Sequence, residues 1–257
     1  MIRSIKKKFL PDEFAKILKQ ANAYPRFTDK QFAFRHYTFK VTDFLSVAWQ
    51  LKEIFEDETL YFNTKSTKPT IVDCGANVGI AVAYFKFLYP GCNVVCFEPD
   101  KNVFECLKHN IKTNGWENVV VHQAAIYNAD TEMFFAGNGA DGGSLHAQGQ
   151  QKVKVLDLAR ILNTCESIDF LKIDIEGAET DVIKHIALQL HKVKYLFVEY
   201  HSIKGQPQQL NQLLQVLTEQ GFRYYLKSIN NLPWKQIANG RSADMDIQLN
   251  IHGIKQI

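Results

Sequence analysis

The segment Ile71-Val72-Asp73-Cys74-Gly75-Ala76-Asn77-Val78-Gly79 decides the fold of this chain. Its apolar beginning and its acid are typical of a β-strand that ends at a ligand site, and its small residues are typical of a tight turn. Glycines in such a turn let a ligand approach the backbone closely, and the helix that follows offers free N–H donors. The segment therefore predicts a strand-to-helix turn that binds a ligand.

A second apolar strand ends in an acid nineteen residues beyond Gly79, where Val94-Val95-Cys96-Phe97 is followed by Glu98. In α/β sheets, ligands bind beyond the carboxyl ends of the strands. An acid at the tip of the second strand is placed to accept both hydroxyls of a ribose. The two strand tips together predict a nucleoside-binding α/β domain.

The composition is that of an ordinary globular protein. Of the 257 residues, 46% are hydrophobic and 22% are charged, and the net charge of +3 is too small to indicate nucleic-acid binding. No apolar run approaches the roughly 18 residues that span a bilayer. The basic N-terminus is followed by Pro11, Asp12 and Glu13, which do not fit a secretory signal. The five cysteines lack metal-ligand spacing, so we expect reduced thiols and a cytoplasmic location.

Residues 1–65 differ from the rest and are predicted to form an N-terminal extension that packs on the core as a partial lid. A short helix, an alternating strand-like stretch and a longer helix capped by Asp43 are expected in turn. The polar stretch 63–69 is typical of a linker. Residues 66–257 are predicted to form the main domain.

From Thr70 onward, strand and helix patterns alternate, which predicts an α/β fold with a mostly parallel sheet and helices on both faces. Residues 125–155 depart from the alternation, and we expect short antiparallel strands and a mobile loop there. Only the loop 228–244 separates the last two strands, so the final strand is expected to be antiparallel. The predicted strands of the main sheet are Thr70–Cys74, Asn93–Phe97, Asn118–His122, Ile168–Ile173, Val193–Val198, Phe222–Lys227 and Met245–Ile251.

Three carboxylates crowd the segment Phe170–Glu179, where another buried strand gives way to a helix. Carboxylates this close repel one another unless water, a cation or hydrogen-bond donors stabilise their charges. Asp174 and Glu176 are catalytic candidates, and Asp174 is expected to face the site. In the alternative, only Asp174 faces the site and Glu179 favours the first helical turn through the helix dipole. No complete set of cation ligands is evident, so no metal site is predicted.

Glu199 and His201 come at the end of the next predicted strand. They are two residues apart, and we expect one to point at a substrate and the other at the neighbouring strands. A histidine near its ordinary pKa can serve as a general base, and the alternative is a surface histidine that follows a strand. The sequence thus leaves the general base open between Asp174, Glu176 and His201.

The spacing of the first turn distinguishes two classes of nucleoside ligand. A dinucleotide fingerprint runs G-x-G-x-x-G directly after the strand. Here the pattern begins with Asp73 and has Asn77 in its middle. A carboxylate at this point repels a pyrophosphate but suits a ligand that carries an ammonium and a sulfonium. The pattern favours S-adenosylmethionine over a dinucleotide.

These motifs resemble the FkbM family of S-adenosylmethionine-dependent methyltransferases. The resemblance is carried by Val72–Gly79, by the Phe97-Glu98-Pro99 step and by Leu171–Glu179, and it extends from about Thr70 to His201. Members are generally associated with O-methylation of sugars, polyketides and other secondary metabolites. The resemblance implies a Rossmann-like class I methyltransferase fold. The cofactor contacts that it implies are Asp73, Gly75, Asn77, Gly79 and Glu98.

The resulting hypothesis is methyl transfer from S-adenosylmethionine to a hydroxyl on a sugar or secondary metabolite. The catalytic candidates are Asp174, Glu176, Glu199 and His201. Two alternatives stay open, an NAD-dependent oxidoreductase and a non-catalytic nucleoside-binding module. We expect a small-molecule or glycan acceptor, with no nucleic acid and no membrane span. The acceptor's identity and the oligomeric state, including a homo-oligomer, are left open.

Overall fold

A computed structural model describes residues 12–137, 143–146, 151–229, 233–239 and 245–255. The helices are α1 (Asp12–Asn22), α2 (Phe44–Leu51), α3 (Ile80–Leu88), α4 (Lys101–Thr113), α5 (Leu158–Asn163), α6 (Glu179–His185), α7 (Leu210–Glu219) and α8 (Trp234–Ala238). The strands are β1 (Lys30–Phe34), β2 (Tyr37–Val41), β3 (Thr70–Cys74), β4 (Asn93–Phe97), β5 (Val119–His122), β6 (Ala125–Tyr127), β7 (Thr131–Gly137), β8 (Gly143–His146), β9 (Gln151–Asp157), β10 (Ile168–Ile173), β11 (Val193–Ile203), β12 (Phe222–Ser228) and β13 (Met245–Lys255).

The central sheet has seven strands in the order β12-β13-β11-β10-β3-β4-β5. The pairs from β11 to β5 are parallel, whereas β13 lies between β11 and β12 and is antiparallel to both. This confirms the predicted mostly parallel sheet with an antiparallel last strand. The carboxyl ends of β3, β4, β10 and β11 therefore meet at one edge of the sheet.

Each face of the sheet is covered by its own apolar cluster. Ile71 packs in a cluster with residues of α2, α3 and α4, whereas its neighbour Val72 packs in a second cluster with residues of α5, α6 and α7. Successive side chains belong to different clusters because a strand points them alternately to opposite faces. Helices therefore cover both faces, as the alternating pattern predicts.

The N-terminal elements pack against the first of these clusters. Strands β1 and β2 form an antiparallel hairpin, and Asp43 caps α2 by accepting the N–H groups of Leu45 and Ser46. Phe55 lies edge-on to Tyr84 of α3, with ring centroids 5.1 Å apart. Helix α2 continues into a π-helical turn, Lys52–Glu56, where the sequence pattern predicts one unbroken α-helix. The domain boundary at residue 65 stays a prediction.

The departure from alternation after β5 is a separate four-stranded sheet in the order β6-β9-β7-β8. Its β7–β8 and β7–β9 pairs are antiparallel, as expected, but β6 and β9 are parallel. Residues 138–142, which hold most of the expected mobile loop, lie outside the described residues. This sheet stands beside the carboxyl edge of the central one.

The structure corrects several of the predicted elements. Strand β11 extends to Ile203 instead of ending at Val198, because β13 pairs with it from Tyr195 to Ile203. The helix predicted over 178–190 is the shorter α6 followed by a 3₁₀ turn, Ala187–Lys192. The loop 228–244 contains α8. None of the described helices is long and apolar enough to cross a membrane.

Candidate active site

A cavity of about 690 Å³ opens at the carboxyl edge of the central sheet. Six of the nine residues singled out from the sequence line it, namely Gly75, Asn77, Glu98, Asp174, Glu176 and Glu199. The other three, Asp73, Gly79 and His201, are not among the lining residues. The strand tips are thus brought together as the topology requires, and three of the predicted residues do not line the cavity.

The turn after β3 comes very close to the turn after β10. Gly75 has a φ of +85°, and a Cβ at this position would lie 1.9 Å from the carbonyl oxygen of Asp174. Only glycine allows this approach. The N–H groups of Gly75 and Ala76 both donate to the carbonyl of Phe97, which ties the turn to β4. Gly79 has another task, since a Cβ there would lie 2.8 Å from Leu107 and separate α3 from α4.

Glu98 is buried at the tip of β4, and backbone donors fix its carboxylate. The N–H of Asn77 donates to Oε2 at 3.0 Å, and the N–H of Asp100 donates to Oε1 at 2.8 Å. Burial raises the pKa of Glu98 to about 8, with the two backbone donors opposing that shift. Each oxygen keeps a further lone pair for a ligand in the cavity.

Asp73 is fully buried beneath the first turn, beside a lysine that the sequence analysis overlooked. Lys172 and Asp73 are directly opposite each other on β10 and β3, and Nζ lies 3.5 Å from Oδ1. The same ammonium contacts Asp174 Oδ2 at 3.0 Å and donates to the carbonyl of Gly75 at 2.9 Å. Burial lowers the pKa of Lys172, but the carboxylates of Asp174 and Asp73 outweigh it and raise that pKa. Lys172 is therefore a permanent cation that joins the two turns.

One sequence signal for this lysine exists. Lys172 interrupts the apolar run Phe170–Ile173, two residues before Asp174. A lysine in a buried strand requires an anionic partner, since an unpaired buried charge is very unfavourable. That partner comes from the neighbouring strand, and the pairing register that places it there is known only from the structure.

His201 is buried behind the cavity among three glutamates. Its Nδ1 lies 3.1 Å from Glu179 Oε1, and its Nε2 lies 3.5 Å from Glu199 and 3.7 Å from Glu176. Burial lowers the pKa of His201, but hydrogen bonds to Glu179 and Glu199 outweigh it and raise that pKa to about 12. A doubly protonated imidazole has no lone pair to accept another proton. The surface alternative is wrong, and the geometry favours a positioning role over that of a general base.

Glu179 turns inward at the start of α6. Its Oε1 accepts the N–H groups of Ile175 and Gly177 at 3.2 and 2.9 Å, in addition to the contact with His201. Glu179 is only 1% exposed, so its role exceeds a favourable interaction with the helix dipole. It fixes the turn that carries Asp174 and Glu176.

Glu176 projects into the cavity from a strained position. It has a φ of +59°, which is uncommon for a residue with a side chain. Burial raises the pKa of Glu176 to about 8, and the charged His201 opposes that shift. Asp174, Glu176 and His201 each offer one ligand atom within 4.8 Å of the others, which is close enough for one divalent cation. The sequence analysis did not predict this grouping.

The far end of the cavity is built from parts of the chain that the sequence motifs do not include. Trp49 and Glu53 come from α2 and its π-helical turn, and Lys227 and Gln248 come from β12 and β13. Burial raises the pKa of Glu53, as does the charge of Glu199. Nothing in the local sequence marks these residues, because folding alone brings them to the strand tips.

Comparison with known proteins identifies the family. The model of the methyltransferase FkbM domain matches residues 73–224, which is more than half of the chain. The chain belongs to the FkbM methyltransferase family. This membership decides against the NAD-dependent alternative.

The curated relatives of this FkbM chain have low sequence identity to it. Methyltransferase 1 of Beauveria bassiana is 25% identical, with 54% of this chain and 67% of the relative covered. The 2-O-methyltransferase NoeI of Sinorhizobium fredii is 27% identical, with 51% and 63% covered. An S-adenosylmethionine-dependent methyltransferase from Agrobacterium tumefaciens has a TM-score of 0.53 at 10% identity, over 90% of this chain and 71% of that one. This likeness shows the class I methyltransferase fold.

The cofactor of this FkbM methyltransferase is S-adenosylmethionine, and the residues of the cavity fit it. The fixed carboxylate of Glu98 offers acceptors for two ribose hydroxyls. Gly75 lets the turn after β3 pack against the turn after β10, and Gly75 and Asn77 both line the cavity there. The surrounding carboxylates suit a donor that is positively charged at its sulfur and amino groups.

Proposed function

We propose that this chain transfers a methyl group from S-adenosylmethionine to a hydroxyl of a sugar or secondary metabolite. The observation that carries the proposal is the continuity of one cavity from Glu98 to the carboxylates of Asp174, Glu176 and Glu199. The name of the relative NoeI, a 2-O-methyltransferase, supports oxygen as the acceptor atom. We further propose a small-molecule or glycan acceptor and a cytoplasmic location, with no nucleic acid involved.

The cofactor supplies a methyl group that its sulfonium already activates. The protein's main contribution is then alignment, because Glu98 and the Gly75 turn fix one reactant while the far end of the cavity receives the other. Holding two reactants in line can lower a barrier by roughly 7–11 kcal/mol. Trp49, Glu53 and Gln248 are placed to position the acceptor at that end.

An alcohol is a weak nucleophile, so a base must remove its proton, and Glu176 suits this role best. Asp174 is occupied by the Lys172 ammonium, and Glu199 accepts the amide of Gln248 at 2.6 Å. Among the described residues, the Glu176 carboxylate contacts the imidazole of His201, with Oε2 3.7 Å from Nε2. A base is most effective when its pKa lies near the working pH, and the pKa of Glu176 is raised to about 8. Asp174, Glu199 and His201 then position the turn and the acceptor.

The role of Glu176 predicts a pH dependence. The base acts only when deprotonated, so kcat should rise about tenfold per pH unit below its pKa of about 8 and level off above it. Glu176→Gln should lower kcat by about 10²–10⁴-fold and abolish that rise, while the Kd for S-adenosylmethionine changes little. Glu166→Gln, a surface change, is the control. A Glu176→Gln variant with the wild-type pH profile would remove Glu176 from this role.

Two measurements test the proposed function itself. Calorimetric titration should show binding of S-adenosylmethionine and none of NAD. Incubation with a panel of glycosides and hydroxylated metabolites should then release S-adenosylhomocysteine. If the protein binds S-adenosylmethionine but releases no S-adenosylhomocysteine with any hydroxylated acceptor, the result would favour the non-catalytic nucleoside-binding alternative.

A further inference from the structure

The two ends of the cavity differ in chemistry. The strand order divides the lining: the end at β10 and β11, with Asp174, Glu176 and Glu199, is rich in carboxylates, whereas the end at β4 and β5, beyond Glu98, is mainly apolar. The groups lining that apolar end are Pro99, Ala124, Ala125, Ile126 and Phe135. If Glu98 holds the ribose, the attached base lies at this end, because adenine has two flat apolar faces that leave water readily.

Phe135 comes from the four-stranded sheet and lines this apolar end, as does Phe97 at the tip of β4. Phe135 is buried and packs with Ala125, Val153 and Val155 in a small apolar cluster of that sheet. The ring is therefore held by its own sheet and still lines the cavity. A pre-positioned ring can stack on a base without first being ordered.

A pair of glycines fixes the ring from the other side. Gly137 and Gly143 lie directly opposite each other on β7 and β8. A Cβ at Gly137 would lie 2.6 Å from Cε1 of Phe135, and a Cβ at Gly143 would lie 2.3 Å from its Cζ. Side chains at these positions would displace the ring. The ring of Phe135 therefore packs directly against the backbone of the two glycines.

The same strand end reaches the cofactor-binding turn. A Cβ at Gly137 would lie 2.8 Å from Oδ2 of Asp100, whose other oxygen caps α4. The backbone N–H of Asp100 is one of the two donors that fix Glu98. Asp100 therefore lies between the strand end that carries Phe135 and the acid Glu98 at the tip of β4.

We propose that Phe135, seated on the Gly137–Gly143 pair, stacks on the adenine of the methyl donor and makes the four-stranded sheet part of the cofactor site. The proposal rests on the proposed function for the nature of the ligand. It assigns the strands β6, β7, β8 and β9 a task that the βα units of the central sheet do not perform. In this proposal, the four-stranded sheet covers the adenine of the cofactor.

The test is a set of calorimetric titrations with S-adenosylmethionine and with 5′-methylthioadenosine, which retains the base and ribose but lacks the amino acid. Phe135→Leu keeps an apolar side chain in the cluster but removes the flat ring. We expect it to weaken both ligands by the same factor, about tenfold. Val153→Ala is the matched control, because Val153 packs in the same cluster without lining the cavity.

The control separates stacking from a merely structural role. Val153→Ala should lower Tm while leaving both affinities within about twofold of the wild type. Equal affinities for wild type and Phe135→Leu would overturn the proposal, as would weakening by Val153→Ala as large as by Phe135→Leu. Wild-type protein that binds both ligands but transfers no methyl group would refute the proposed function and leave this inference intact.

Discussion

Lys172→Met is expected to lower the free energy of unfolding by about 3–5 kcal/mol at pH 8, the largest loss of stability that we predict. The variant leaves the carboxylate of Asp73 fully buried, where no hydrogen-bond donor reaches either oxygen within the described residues. Chemical denaturation monitored by circular dichroism measures the change. Asp73→Val/Lys172→Met should recover most of the stability, because it replaces both charges with apolar groups of similar volume.

The loss should also depend on pH. Burial already raises the folded-state pKa of Asp73 above its ordinary value of 3.8, and the variant removes the ammonium that opposes this rise. A group with a raised folded pKa favours folding below the unfolded pKa and loses that contribution as pH rises through the folded one. The variant should therefore lie closer to wild type at pH 4 than at pH 8. Lys86→Met removes another buried lysine, one that donates to the carbonyls of Cys92 and Glu117, and should lack this dependence.

Glu98→Ala is expected to weaken S-adenosylmethionine binding by about 100-fold. Two hydrogen bonds from ribose hydroxyls to the Glu98 carboxylate, each worth about 1.5 kcal/mol at a pH above the raised pKa of that group, account for that factor. Calorimetry or equilibrium dialysis measures it. Glu105→Ala, which removes an exposed acid of α4, should leave the affinity unchanged.

A modified ligand sharpens this prediction. The 2′-deoxy analogue of S-adenosylhomocysteine lacks one of the hydroxyls assigned to Glu98. It should bind the wild type more weakly than S-adenosylhomocysteine does, yet bind Glu98→Ala about as well as the parent ligand. An unchanged preference for the parent ligand in Glu98→Ala would place the ribose elsewhere.

The sequence predicted those parts of the molecule whose determinants are local. Apolar runs with clear ends located β3, β4 and β10 at their observed boundaries. The rule that ligands bind at the carboxyl ends of parallel strands then brought Gly75, Glu98 and Asp174 to one cavity. These features need only the chain's periodicity and the connectivity of βα units.

Features that depend on register or on distant segments could not be predicted. The pairing of Lys172 with Asp73 requires the alignment of β10 with β3. The burial of His201 follows from the extension of β11 along β13, since Gln248 lies opposite His201 on that strand. Phe135 reaches the cavity through a separate sheet. In each case, a partner remote in sequence decides the environment of the residue.

The far end of the cavity comes from outside the segment that identifies the family. Trp49 and Glu53 precede residues 73–224, and Lys227 and Gln248 follow them. Mutations in these flanking segments can reshape the region where an acceptor would sit without disturbing Glu98 or the glycine turn. Selection can then change substrate preference while the donor machinery stays constant, and exchange of both flanks between homologues is a direct route to new regiochemistry.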